Sequence, residues 1–515
     1  MDYYSLLRKY SAKALISFIA EHQDIENDIT GDIFVGSIPV ANTDKYPMNK
    51  MTLLGVLEDT LKFRSHKKAR NTVSFDEMKE LCVARNKNIF SNDLNYDSKN
   101  ALGSVFSIAK NQKKLLSEST LSSNFYRDYY MLTIVDNMFI HTQQYCLNST
   151  NFYSNLFGCD MMVTFICVLV LYEQVIKNRK YILEKPFTFY ENFFIQKFGK
   201  YCIYDICSKE EFNPLRHCLI KIGHRYYIPL FGLLYNRLSH IFYWIIKDSM
   251  KNDKPTNKFP IFFGKYYEKY IESFLRYSVE DNYIKIDDQL DNKNAGKIPD
   301  FEFTKFEQKF IIECKSRLIF GNDIDEKLGS GIFRDKIVEG FAQLKNYKNN
   351  CRDAIKMLVI YETEFPLIDI YENKIKGELK LDDNYWLVTI NEFEAFIELE
   401  NRNDFYKVID TRRKYFEKNK TISVSKALLA NGLGKQFSHH YLQTIIDELN
   451  SKALKIIEDF GITTDNIIIC TGCQQGISMA CTALLNDGET ILIEKPSYLD
   501  GLNAALPYNP NIVGV

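Results

Sequence analysis

Three side chains within Lys297–Leu318, KIPDFEFTKFEQKFIIECKSRL, have the types and spacing to do chemistry. Asp300 follows Pro299, and Glu313 and Lys315 stand one residue apart. Side chains alternate along a strand, so Glu313 and Lys315 fall on one face and Cys314 on the other. The apolar run Phe310–Ile312 in front of them predicts a buried strand. A core strand that ends on a carboxylate and an ammonium is unusual, because neither group buries readily without a partner. An aspartate on the neighbouring strand would share a divalent cation with Glu313. Magnesium takes oxygen ligands and keeps several waters, so Asp300 and Glu313 suffice as carboxylates, with the Cys314 backbone carbonyl as a third oxygen. Such a cation neutralises a phosphate and lowers the pKa of an attacking water. Lys315 would orient that water or stabilise the charge developing on the phosphate. The chemistry expected of this set is phosphodiester hydrolysis.

The flanking sequence predicts the elements that must position these groups. A helix is expected from Gly264 to Tyr277, with Tyr267, Tyr270, Ile271, Phe274 and Leu275 on its apolar side. Glu268 and Glu272 share one face of it. The strand NYIKI (282–286) and a polar loop precede the Asp300 stretch. After a loop at Gly321–Gly331, FRDKIVEGFAQLKNYKNN reads as a helix carrying Gln343 and Tyr347 one turn apart. The strands KMLVIY (356–361) and WLVTI (386–390) follow, then the helix NEFEAFIELEN with Asn391 as its expected cap. Strand–helix alternation around continuous apolar strands is an α/β pattern.

These residues together resemble the PD-(D/E)xK, or restriction-endonuclease-like, nucleases. Pro299-Asp300 stands for the PD and Glu313-Cys314-Lys315 for the ExK. Gly264-Lys-Tyr-Tyr-Glu268 is similar to the family's first-helix acidic motif, and Gln343-Leu-Lys-Asn-Tyr347 to the QxxxY helix that follows the active-site strand. The resemblance spans roughly residues 258–400. It implies a core with a central mixed sheet and a Mg²⁺- or Mn²⁺-dependent hydrolase acting on DNA. It implies Asp300, Glu313, Glu268 and the Cys314 carbonyl around the metal, with Lys315, Gln343 and Tyr347 completing the site. Restriction or anti-phage defence is the setting it suggests, with repair or recombination also open. The plain alternatives are a Glu–Lys pair on an edge strand, or a nuclease-like fold that binds nucleic acid without cutting it.

The rest of the chain sets the frame. At 515 residues several domains are expected. A charge of -1 excludes a globally basic nucleic-acid binder, though not a local basic groove. Twelve cysteines lack zinc spacing, Cys202/Cys207 and Cys470/Cys473 included, and read as free thiols in a reducing, cytoplasmic setting. The start has no signal-peptide pattern, and Met161–Tyr172 is too short to span a bilayer and reads as a buried helix. Residues 1–250 read as a mainly helical domain of unassigned role, with helices at Asp2–Glu21, Met48–Phe63, Tyr129–Tyr145 and Tyr226–Asp248 and a Ser74/Glu77 capping box. His217, His224 and His240 are too dispersed to pair by spacing. The basic runs at Lys62–Arg70 and Arg412–Lys414 read as solvated faces, with a phosphate contact the minority alternative.

Residues 401–454 read as a helical extension. From about 455 to 515 the pattern is α/β again, and NIIICTGCQQGI is similar to the cofactor-phosphate turn of fold-type I pyridoxal-phosphate aminotransferases. That resemblance places Gly472, Cys473 and Gln474 at a cofactor phosphate and Tyr498 on a pyridine ring. The family's Schiff-base lysine would lie further along than Val515, so the segment reads as truncated or fused, with no functional pyridoxal phosphate expected. The expected architecture is therefore multidomain: a mainly α N-terminal region, an α/β core and a partial α/β C-terminal segment. Self-association is left open.

Overall fold

The structure, a computed structural model, describes residues 2–23, 33–35, 38–40, 48–63, 69–92, 123–140, 146–208, 210–214, 216–250, 259–286, 298–318, 332–347, 353–363, 365, 368–433, 439–459, 481, 484–493 and 504–514. Met1–Ile445 forms one compact unit and Ile446–Val515 another. The fold is mixed α/β.

The α/β core begins with the helix α1 (Phe259–Val279), longer at both ends than the sequence pattern predicts. Five strands follow: β1 (Tyr283–Lys285), β2 (Phe301–Lys305), β3 (Gln308–Lys315), β4 (Ile355–Ile360) and β5 (Tyr385–Thr389). They form one sheet in the order β5-β4-β3-β2-β1. β1, β2 and β3 pair antiparallel, whereas β3, β4 and β5 run parallel. The helix α2 (Ile332–Asn346) crosses from β3 to β4, α3 (Ile368–Leu379) from β4 to β5, and α4 (Ile390–Ile397) leaves β5 directly. Then come α5 (Arg402–Phe416), α6 (Val424–Ala430) and α7 (His440–Asp459), the last crossing the boundary between the two units.

Both faces of the parallel half are covered, which is why β4 and β5 read as almost unbroken apolar runs. On one face Ile337, Phe341 and Leu344 of α2 pack on Ile311, Leu358, Ile360 and Leu387. On the other, Phe303 and Phe310 stack at 4.8 Å, and Phe310 meets Phe405 of α5 at 5.9 Å. A two-residue turn joins β2 to β3. Both its residues, Phe306 and Glu307, have positive φ, 48° and 69°, the hairpin conformation that matches strand twist but usually takes Asn or Gly. Contacts from α5 hold it: Tyr406 Oη donates to the Phe306 carbonyl at 2.6 Å, and Arg402 pairs with Glu307 at 2.6 Å.

The N-terminal region is largely helical, with two differences from the sequence pattern. Asp2–Glu21 is two helices, Tyr3–Leu7 and Ala12–Glu21, because Ser11 caps the second by accepting from the Ala14 N–H at 3.2 Å. Tyr226 and Tyr227 belong to a strand, and the helices behind them are Phe231–Ser239 and Ile241–Met250. That strand sits in a four-stranded sheet ordered Ile182–Leu183, Arg225–Tyr227, Leu219–Ile222, Ile203–Asp205. These strands are too short to give an alternation signal. The Ser74/Glu77 capping box is present, with Ser74 N–H donating to Glu77 at 2.9 Å and Glu77 N–H to Ser74 at 3.3 Å.

The cap of α4 is Thr389, not Asn391: Thr389 Oγ1 accepts from the Glu392 N–H at 3.2 Å and Glu392 reciprocates. Arg412 is buried rather than solvated. It donates to Glu372 at 2.7 Å and its guanidinium lies 4.4 Å over Trp386. Met161–Leu171 is a buried helix, and among the described residues no single helix is long and apolar enough to cross a membrane. In Ile446–Val515 the described strands are a parallel pair, Thr490–Ile493 with Asn511–Gly514. Gly472, Cys473, Gln474 and Tyr498 lie outside the described residues, as do Cys470 and the Gly321–Gly331 loop.

Candidate active site

The C-terminal end of β3 is where the predicted residues converge. Phe310, Ile311 and Ile312 are fully buried, and the same strand delivers Glu313 into the interior at 2% exposure. Strand alternation puts Glu313 and Lys315 on the α2 side. Lys315 Nζ donates to Glu313 Oε1 at 2.5 Å and to Gln343 Oε1 of α2 at 2.8 Å. The close approach of α2 depends on Gly340. A Cβ there would lie 2.5 Å from Leu358 Cδ1 and 3.3 Å from Lys315 Cε.

Asp300 arrives from the start of β2. The antiparallel register sets Phe301 opposite Ile312, so Asp300 falls level with the end of β3. Its Oδ2 accepts from the Cys314 backbone N–H at 2.7 Å, which fixes the carboxyl beside the ExK triplet. Glu268 approaches on α1. That helix passes beside the residue after Lys315: a Cβ on Gly264 would sit 3.5 Å from Ser316 Oγ. Glu268 lies one turn further along and pairs with Lys265 at 2.6 Å.

The electrostatics of these groups are unbalanced. Burial raises the Asp300 carboxyl well above the usual carboxylate range, and the negative charges of Glu313 and Glu268 add to it; the Cys314 N–H and Lys315 oppose the rise. The Cys314 thiol is likewise pushed well up, by burial first and then by Asp300, Glu313 and Glu268. Burial works to lower the Lys315 ammonium, but Glu313 and Asp300 more than offset it and hold the group charged. Like charges crowding a buried carboxyl are what a cation relieves.

Tyr347 follows the end of α2 and packs, partly buried, against the α2–β4 hydrophobic cluster. Glu339 was missed by the sequence reading. It sits one turn before Gln343 on α2, and Lys315 and Glu339 feel each other's charge. The signal was its spacing of four from Gln343, which puts both on one helix face.

Among the described residues no group of three His, Cys, Asp or Glu is arranged to hold a metal ion by itself. Magnesium does not require one, since one or two carboxylates plus waters and substrate phosphate oxygens complete its shell. Asp300 and Glu313 fit that role by donor type, by sharing one strand end and by their mutual repulsion.

A second cluster of buried charge fastens the helical region to the core. The segment Ser123–Ile140 contains a π-turn at Met131–Val135. Residues eight apart on a regular α-helix are rotated by about 80°; the extra residue of a π-turn brings them back onto one face. Asp128 and Asp136 are so placed, and both face the core. Asp136 accepts from Tyr266 of α1 and from the Leu147 N–H at 2.9 Å. Arg127 grips Glu394 of α4 with both Nε and Nη2, and Tyr270 Oη donates to the same carboxylate at 2.6 Å. Asp128 accepts from Tyr361 Oη at 2.6 Å and faces His240 Nδ1 at 3.3 Å. Of the dispersed histidines, His240 thus finds a carboxylate through the fold rather than through spacing. Compared with family models, with curated proteins and with solved structures, the chain matches none.

Proposed function

We propose that this protein is a divalent-metal-dependent nuclease of the PD-(D/E)xK type, hydrolysing phosphodiester bonds in DNA with Mg²⁺ or Mn²⁺. The observation that carries the reading is the meeting of Asp300, Glu313, Lys315 and Gln343 at one end of β3, with a surplus of negative charge around Asp300. The order of α1, three antiparallel-paired strands, α2 and a parallel strand supports a restriction-endonuclease-like core.

Asp300 and Glu313 would hold the cation, with the Cys314 carbonyl and Glu268 as further oxygen donors. When bound, the cation supplies charge neutralisation at the phosphate and a lowered water pKa. Glu313 and Gln343 orient the Lys315 ammonium, and Lys315 stays charged to stabilise the phosphate oxygens as negative charge grows on them. Gln343 accepts from the same Nζ and would keep Lys315 tethered if Glu313 held a cation. Tyr347 supports the end of α2 by packing. A cytoplasmic setting and a role in restriction or defence accompany this reading.

Cleavage of plasmid and linear DNA, with and without Mg²⁺ or Mn²⁺, tests it. Asp300→Ala should abolish cutting, and Lys315→Ala should lower its rate by about 10²–10⁴-fold, the range for removal of a general acid–base or charge-stabilising group. Unchanged cutting by both variants would sink the assignment. Retention of DNA by the wild type without any nicking would mark a binding module instead.

A further inference from the structure

Tyr361 touches three parts of the molecule at once. It directly follows β4, whose register sets Ile360 beside Lys315. Its backbone N–H donates to the Lys315 carbonyl at 2.9 Å. Its ring meets Phe263 at 5.4 Å and Tyr267 at 5.0 Å, and Tyr267 immediately precedes Glu268 on α1. Its hydroxyl reaches across to Asp128 of the helical region at 2.6 Å. Asp128 is completely buried. A buried carboxylate is costly unless hydrogen-bonded, and a phenylalanine would fill the core as well as Tyr361 does. Docking does not explain the pair, because Arg127–Glu394 and Tyr266–Asp136 already join the same helical segment to α4 and α1. What the Tyr361–Asp128 bond adds is a connection that ends on the backbone of Lys315.

We propose that Tyr361 and Asp128 are positioning residues through which the helical region holds the end of β3, and with it Lys315, in the arrangement that the active site uses. This rests on the reading of that strand end as the reactive centre. The helical region is then part of the site's control rather than an appendage, and whatever shifts Asp128 shifts Lys315.

The test compares Tyr361→Phe, Asp128→Ala and Asp128→Asn in the full chain. Hydrogen exchange at the residue-361 amide, read by selective ¹⁵N-tyrosine labelling, or ¹⁵N-phenylalanine labelling for Tyr361→Phe, should speed up about five-fold or more in Tyr361→Phe and Asp128→Ala, the equivalent of one ordinary hydrogen bond. Acylation of Lys315 by an amine reagent in metal-free protein, read by mass spectrometry, should change in the same two variants. Mg²⁺-dependent DNA cleavage should lose roughly ten- to a hundred-fold in kcat with KM unchanged, the scale of a small misplacement of a reacting group. Asp128→Asn keeps an acceptor for Tyr361 and should stay close to wild type. Lower melting temperatures with wild-type exchange at Tyr361 and wild-type acylation of Lys315 would overturn the proposal. If the wild type cuts no DNA, the nuclease reading fails, and the exchange and acylation measurements still decide the positioning link.

Discussion

Glu394 and Asp300 are both buried carboxyl groups in one compact unit, and their environments push them in opposite directions. Burial works to raise Glu394, but Arg127 and then His439 outweigh it and hold the carboxyl below its ordinary range. At Asp300 burial and the neighbouring carboxylates act together, and the group rises well above that range. The first cluster is closed: each acid has a cation or hydrogen-bond donors of the chain's own. In the second each acid also has a partner, the Cys314 N–H, Lys315 or Lys265, yet Glu313 and Glu268 still add to the rise at Asp300. A cluster of paired opposite charges does structural work, whereas buried carboxyls that raise one another mark a candidate site for a cation.

The largest effect that would break this contrast is at Arg127. Arg127→Met leaves Glu394 buried without its main partner and should cost about 3–5 kcal/mol in chemical denaturation. Adding Glu394→Met to it should recover much of that loss. A cost under about 1 kcal/mol for the single variant would mean that the closed cluster is not structural. A smaller effect is expected at Gly340. Gly340→Ala forces Leu358 and the Lys315 stem aside, and overpacking of this kind costs about 1–3 kcal/mol. It should also weaken metal-dependent cleavage, because Gln343 moves away from Lys315 with the helix. Loss of stability without loss of cleavage would separate helix packing from the site.

The subtlest effect is in pH. Glu394 has a depressed pKa, so its contribution is present above the unfolded carboxylate value and is lost as pH falls through the lower folded value. Asp300 has a raised pKa, so the folded state binds the extra proton. Its contribution is present below the unfolded value and is lost as pH rises toward the folded one. In metal-free protein, Asp300→Asn should remove that downward slope, and added Mg²⁺ should flatten it in the wild type. A slope unaffected by either would sharpen the comparison against a cation at Asp300.

How much of this was legible in the sequence follows from the range of each contact. Strand alternation placed Glu313 with Lys315; helical spacing put Gln343 only beside Tyr347, and its link to the strand end came from the QxxxY resemblance. The capping box at Ser74 and Glu77 was readable because a cap is local. Asn391 was read as a cap where Thr389 does the work, since both types cap and the strand end moved by one residue. Arg412 looked solvated because it stands in a basic run, and only the fold brings Trp386 and Glu372 around it. The partners of Arg127 and Asp128 lie 267 and 233 residues away, Glu394 and Tyr361, and no periodicity can announce them.

The tight turn at Phe306 and Glu307 bears on the order in which the site assembles. It brings Asp300 to the Cys314 N–H across only 14 residues, whereas Tyr361 must find Asp128 across 233. On loop-closure entropy alone the second contact costs about 2.5 kcal/mol more than the first. The hairpin therefore brings Asp300 and Glu313 together locally, whereas the Tyr361–Asp128 bond needs the chain to close on its distant helical half. A nascent or partly unfolded molecule would hold the two carboxylates together before the Tyr361–Asp128 contact forms.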